Sequence, residues 1–154
     1  MFWNKKAAQI KEAATKLQNK DLLQAYTGII ALMGFANDKK MDETEQGQAR
    51  ALITNHPKLG DYGMEAAQMF DAYVNRLKTS YVSGKREIMR EIADVKGDQI
   101  EMEDVLLAAI DMAMLDGVFQ PEEYKLACEI AQTFRLNLDD YLEDDMKAQV
   151  AAYK

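Results

Sequence analysis

Residues 114–136 have the sequence MLDGVFQPEEYKLACEIAQTFRL, which contains an acidic turn followed by the start of a helix. Gly117 suits the left-handed exit of a preceding helix, and Pro121 suits the first position of the next one. From Pro121 onward, apolar residues recur at steps of three and four, the period of an amphipathic α-helix. The stretch therefore predicts a helical hairpin with a short acidic turn.

The same pattern occurs earlier, in residues 28–53 (GIIALMGFANDKKMDETEQGQARALI). Each copy combines an apolar helix, an acidic turn with one large apolar residue, and a second amphipathic helix with a glutamate in its first turn. This repetition predicts two helical hairpins of one design, within 21–55 and 99–135. Their acidic turns could lie near each other or at opposite ends of the bundle. The matched residues Asp38, Met41, Glu45, Ala49 and Leu52 correspond to Asp116, Phe119, Glu123, Ala127 and Ile130, each 78 positions later.

Helical periodicity continues through almost the whole chain, which has only two prolines and eight glycines in 154 residues. Because no long Pro, Gly or Ser tract interrupts it, we expect one all-α domain over 1–154, a single bundle of about seven to eight helices. The predicted helices are 4–18, 21–37, 42–54, 61–81, 85–96, 101–115, 121–135 and 138–152. The predicted core consists of Leu22, Ile29, Leu32, Leu52, Phe70, Leu77, Ile88, Leu106, Ile110, Ile130 and Phe134.

The composition of the chain indicates which partners are unfavourable and where the protein is expected to be located. The net charge of −7 and the pI of about 4.8 argue against duplex nucleic acid, which needs a concentrated basic surface. The longest apolar stretch, 105–115, is interrupted by Asp111 and is shorter than a bilayer span requires. With a single cysteine and no secretory signal pattern, we expect a cytoplasmic protein.

The acidic turns have two interpretations. Their carboxylates, Asp38 and Glu45 in the first copy and Asp116, Glu122 and Glu123 in the second, supply the hard oxygen ligands that Ca²⁺ or another divalent cation prefers. The same residue types also cap helices, since an N-cap side chain and a glutamate three positions later each satisfy a free backbone N–H.

An EF-hand alignment is only half complete. With Gly117 at loop position 6, Asp116 and Glu123 take positions 5 and 12, but Met112 and Met114 occupy positions 1 and 3. A cation would therefore need ligands from both turns or from a partner.

The N-terminal segment 1–20 is predicted to be a basic amphipathic helix. Phe2 and Trp3, with Lys5 and Lys6, are candidate contacts for a partner or an anionic membrane surface. Because its apolar face is mostly alanine, the segment could instead pack on its own acidic bundle. Peripheral membrane association therefore stays open.

Catalytic signatures are weak. His56 is the sole histidine and adjoins Pro57, so no histidine-rich zinc site or histidine-based triad can form. Cys128 lies on the apolar side of its helix, where a buried thiol is more common than a nucleophile. These residues predict a binding protein that has no catalytic residues.

The chain resembles the TerB family over nearly its full length. The likeness is carried by a Lys-rich first helix, by QNKDLLQAYTGIIAL at 18–32, by FANDKKMDETE at 35–45 and above all by 114–136. Its most specific part is the Asp116–Gly117 turn followed by Glu122 and Glu123. Lys39 departs from the pattern, because it replaces the expected glycine. With the lysine after it, Lys39 is expected to add positive charge where a divalent cation would sit.

The resemblance implies a tandem-helical fold and a role in resistance to tellurite, colicin and phage. It also implies a non-enzymatic adaptor between a TerC-like membrane protein and TerD-like calcium-binding proteins. An alternative is a metal-binding or thiol protein that acts directly on the toxic anion through Cys128. A further alternative is a phage or mobile-element accessory protein that shares only the fold.

Overall fold

The computed structural model describes residues 21–57, 59–95 and 98–154. The N-terminal helix prediction, with Phe2, Trp3, Lys5 and Lys6, lies outside the described residues. The helices of the described part are α1 (21–35), α2 (Glu43–Asn55), α3 (Gly63–Thr79), α4 (Tyr81–Asp94), α5 (Gln99–Ala113), α6 (Pro121–Thr133) and α7 (Asp144–Val150). Short 3₁₀ turns occur at Gly60–Tyr62, Leu138–Tyr141 and Ala151–Tyr153. The described ranges contain no strand, so the predicted all-α class is confirmed.

The two hairpins repeat with the offset that the sequence shows. The end of α1 and both ends of α2 lie 78 positions before the corresponding points of α5 and α6. A 3₁₀ turn follows each hairpin, at Gly60–Tyr62 and at Leu138–Tyr141, so the structural repeat is longer than the sequence comparison indicates. Local hydrogen bonds fix the helix starts: Asp42 and Asp98 each accept the backbone N–H three residues later, and Pro121 opens α6.

The segment between the repeats forms α3 and α4, which pack closely. Ser80 separates them by adopting an extended conformation and capping α4, so α4 starts four residues before the predicted position of 85. Gly84 lies against Leu77, where an added Cβ would stand 3.2 Å from the Leu77 backbone. This glycine lets the two helices approach each other.

The last predicted helix, 138–152, is wrong as one continuous element. The Asn137 side chain accepts the Asp139 N–H and starts a 3₁₀ turn, after which Leu142 is extended and α7 begins anew. The Leu138, Leu142 and Val150 side chains lie on both sides of this break and are all buried. On one straight helix they would spread over about 120° around its axis.

The core contains most of the predicted residues. Leu52 and Phe134 are only half-buried and pack on its edge, while the other nine are buried. The prediction omits several of the largest buried side chains, among them Tyr26, Phe35 and Phe119. Phe119 belongs to the second acidic turn, so that turn is anchored directly in the core.

Candidate functional site

The two acidic turns line one open pocket of about 310 Å³. The structure thereby decides between the two arrangements that the repeat left open: the turns lie together. Four of the five predicted cation ligands, one Asp–Glu pair from each repeat, border this space. The described residues that line the acidic pocket are Gly34, Asn37, Asp38, Asp42, Thr44, Glu45, Gln48, Met112, Ala113, Leu115, Asp116, Gln120 and Glu123.

Each turn is built in the same way. The Asp38 carboxylate accepts the Lys40 N–H at 3.1 Å, and the Asp116 carboxylate accepts the Val118 N–H at 3.0 Å. Both bonds join residues two apart, the Asx-turn geometry that lets aspartate reverse the chain. The residue after each aspartate is left-handed: Lys39 has a φ of 60° and Gly117 a φ of 83°. The first repeat thus adopts the glycine conformation without a glycine.

Lys39 does not line the pocket, although the sequence places it beside the first half-site. Its ammonium lies 5.6 Å from the centre of the Tyr81 ring, a cation–π distance. The interpretation that Lys39 adds positive charge at the cation position is therefore corrected. None of the described lining residues is basic.

The glutamates Glu45 and Glu123 occupy the third positions of α2 and α6. The Glu45 N–H donates to the Asp42 carboxylate at 2.7 Å, and Glu123 Oε1 accepts the Gln120 N–H at 2.8 Å. The structure thus shows the N-cap half of a capping box in the first repeat and the glutamate half in the second. Glu123 is also the more deeply placed carboxylate, with only 9% of its surface exposed.

The described residues that line the pocket carry an excess of negative charge. Burial raises the pKa of Glu123 to about 7, and the charges of Asp116 and Glu45 add to the increase, although the Gln120 N–H opposes it. Burial also raises the pKa of Glu45, with further contributions from Asp42, Asp38 and Asp116. Carboxylates from both repeats therefore repel one another across the pocket, and a bound cation would relieve this repulsion.

Glu122, the fifth predicted ligand, lies elsewhere. It borders a separate groove that also includes Tyr124 and Cys128. Its counterpart in the first repeat, Thr44, does line the acidic pocket. The two halves of the pocket therefore differ at this position.

The donor chemistry fits Ca²⁺ or Mg²⁺, because carboxylate and amide oxygens predominate among the polar lining groups. As the side chains are placed, no group of three or more His, Cys, Asp or Glu residues in the described ranges is arranged to hold a metal ion. The EF-hand comparison is limited as the sequence indicates, since α5 continues through Ala113 and includes Met112. Direct coordination would require the carboxylates to rotate inward, whereas a hydrated ion could bind through its waters.

The surroundings of Cys128 and His56 indicate structural roles for both residues. Cys128 is half-buried, and burial raises the pKa of its thiol, which disfavours the reactive thiolate. His56 is the C-cap residue of α2, and the centre of its ring lies 4.9 Å from the centre of the Tyr26 ring. Neither observation points to catalysis.

The site also contains residues that the sequence pattern does not mark. Gln48, Met112 and Leu115 complete the pocket wall. The Gln149 and Tyr153 side chains hydrogen-bond to the backbone of the second turn from about 30 residues away. No local pattern marks these residues, because their contacts depend on how distant helices pack.

Comparison with known proteins identifies one family. The model of the family described as "Tellurite resistance protein TerB" matches residues 23–143, more than three quarters of the chain. No curated protein and no solved structure matches it. Across the described ranges, no helix has both the length and the apolar character needed to cross a membrane.

Proposed function

The chain belongs to the TerB family of tellurite resistance proteins, and on this premise we propose that it is a non-enzymatic adaptor whose acidic pocket receives a positively charged ligand. One observation carries the proposal. Asp38 and Glu45 from one repeat and Asp116 and Glu123 from the other line a single pocket that has no described basic residue. Burial and mutual repulsion raise the pKa values of both glutamates, so a cation would bind with a favourable change in electrostatic energy.

The first ligand class is a divalent cation, with Ca²⁺ as the leading candidate. The hard oxygen donors support this choice, and a hydrated ion would suit an open pocket. The second class is a lysine or arginine side chain of a partner protein. Met112, Ala113 and Leu115 supply apolar surface that would pack against the methylene stem of such a side chain.

The family resemblance supports the choice of partners. We propose a cytoplasmic adaptor, peripheral at the membrane, that contacts a TerC-like membrane protein and TerD-like calcium-binding proteins. A direct reaction of Cys128 with a toxic anion has no supporting observation, since the raised thiol pKa disfavours the nucleophilic form. Recognition at the acidic pocket therefore takes precedence over thiol chemistry.

Calorimetric titration with Ca²⁺, and with Mg²⁺ for comparison, tests the cation arm. We expect Ca²⁺ to bind the wild-type protein and to stabilise it by about 2.7 kcal/mol at a hundred times the dissociation constant. The Asp116→Asn/Glu123→Gln variant should lose both effects. Asp94→Asn/Glu65→Gln is the matched control, because it removes the same charge from exposed residues outside the pocket lining.

Binding of a TerD-like protein and of a cytoplasmic TerC-like segment tests the partner arm. We expect the pocket variant to bind at least one of them less tightly than the wild type does, while the control variant binds normally. A folded pocket variant that keeps wild-type affinity for calcium and for both partners would refute the proposed site.

A further inference from the structure

The second acidic turn is held by residues that lie outside the matched family range. α7 and the 3₁₀ turn after it follow residue 143, where the match ends. Val150 is fully buried and fixes α7 against the rest of the bundle. Gln149 and Tyr153 extend from this segment to the backbone of the turn; we call these two residues the clasp.

The clasp satisfies three backbone groups. The Phe119 N–H donates to Gln149 Oε1 at 2.8 Å, and Gln149 Nε2 donates to the Gly117 carbonyl at 3.3 Å. The Tyr153 hydroxyl donates to the Phe119 carbonyl at 2.8 Å. Since Asp116 directly precedes this stretch and Glu123 closely follows it, the clasp acts on the backbone between two pocket carboxylates.

The first turn is held differently. Its Met41 carbonyl, the counterpart of the Phe119 carbonyl, accepts a hydrogen bond from nearby Gln46 at 3.0 Å. The residue equivalent to Gln46 in the second repeat is Tyr124, whose hydroxyl is directed to Asp139. The second turn therefore lacks this local donor, and Tyr153 provides the bond from a distance.

The second turn also has more need of external support. Gly117 has no side chain and nothing near the position of a Cβ, whereas Lys39 in the first turn carries a side chain that reaches Tyr81. Glycine has more backbone freedom to lose than any other residue, so an unsupported glycine turn would sample other conformations.

We propose that Gln149 and Tyr153 are positioning residues for the acidic pocket, which hold the second turn so that Asp116 and Glu123 stay on the pocket wall with Asp38 and Glu45. The inference rests on the proposed function for its ligand. The geometric part can be measured without any ligand.

Residue-resolved hydrogen exchange tests the geometric part in Tyr153→Phe and Gln149→Ala. Tyr153→Phe keeps the ring and removes only the hydroxyl donor, so we expect the fold to be retained. The Val118 and Phe119 amides should exchange about fivefold faster in this variant, as expected for loss of one hydrogen bond. The Lys40 amide of the first turn is the internal reference, and it should keep its wild-type rate.

Lys154→Gln is the matched control, because it breaks the Lys154–Asp139 ion pair in the same segment without touching the turn. Calcium titration then measures the effect on the pocket, and we expect the affinity of Tyr153→Phe to fall about fivefold while Lys154→Gln binds normally.

The possible results separate the two proposals. Faster exchange confined to the second turn, together with weaker calcium binding, supports the clasp. The clasp is overturned if the exchange rates are unchanged in Tyr153→Phe, or if the Lys40 amide exchanges faster to the same extent. It is also overturned if exchange rises only in the second turn while the calcium affinity stays at the wild-type value. The wild type could also bind no calcium while exchange rises only in the second turn. That result would support the clasp as the element that holds the turn, and it would refute calcium as the ligand of the pocket.

Discussion

The pH dependence of stability should reveal the cost of burying Glu123 in the acidic pocket. Its pKa is about 7 in the folded protein, above the ordinary value of 4.5, because of burial and the nearby Asp116 and Glu45 carboxylates. The folded state therefore favours the protonated form. This contribution to stability is absent well above pH 7 and grows as the pH falls from 7 towards 4.5.

The linkage relation gives the magnitude. For a carboxyl group with these two pKa values, the free energy of unfolding rises by about 1 kcal/mol between pH 8 and pH 6. Glu123→Gln resembles the protonated side chain and keeps an oxygen that can accept the Gln120 N–H, so most of this rise should disappear. Urea denaturation at pH 8, 7 and 6 would measure the free energy for both proteins.

Glu122→Gln is the appropriate control, since it removes the neighbouring charge, which lies outside the acidic pocket. It should retain the wild-type rise between pH 8 and pH 6. If Glu123→Gln and the wild type gain the same free energy of unfolding over this range, Glu123 is not the buried carboxyl that titrates.

Three further predictions concern the backbone and the thiol. Gly117→Ala should lower the free energy of unfolding by about 1–2 kcal/mol in chemical denaturation, because φ is 83° and the added Cβ would touch no other atom. Gly47→Ala is the control, since Gly47 lies in a helix with equally open surroundings, and it should raise the free energy of unfolding by about 0.5–1 kcal/mol. Gly84→Ala should cost about 1–3 kcal/mol in thermal unfolding, because its Cβ would press on the Leu77 backbone, and a wild-type melting curve would contradict the close approach of α3 and α4. Cys128→Ser should leave tellurite protection in growth assays unchanged, and loss of protection by a folded variant would return thiol chemistry to consideration.

Local sequence patterns were enough to predict the helical class, the two hairpins and the chemistry of their turns. Helix starts at Asp42 and Pro121 depend on hydrogen bonds and backbone preferences within a few residues, so a local pattern is enough to predict them. The 78-residue repeat was equally visible, because corresponding turns use corresponding carboxylates. The same correspondence identified four residues of the pocket from the sequence: Asp38, Glu45, Asp116 and Glu123.

The shared pocket of the two turns is a result of tertiary packing. The distance between Asp38 and Asp116 depends on how the hairpins pack, and the turn sequences are compatible with either arrangement. The direction of Lys39 towards Tyr81 and the placement of Glu122 in another groove likewise follow from neighbours on other helices. The clasp joins residues about 30 positions apart, and the raised pKa of Glu123 depends on charges from both repeats. Local preferences fix each helix and turn, but burial and charge repulsion arise only once distant segments are in contact.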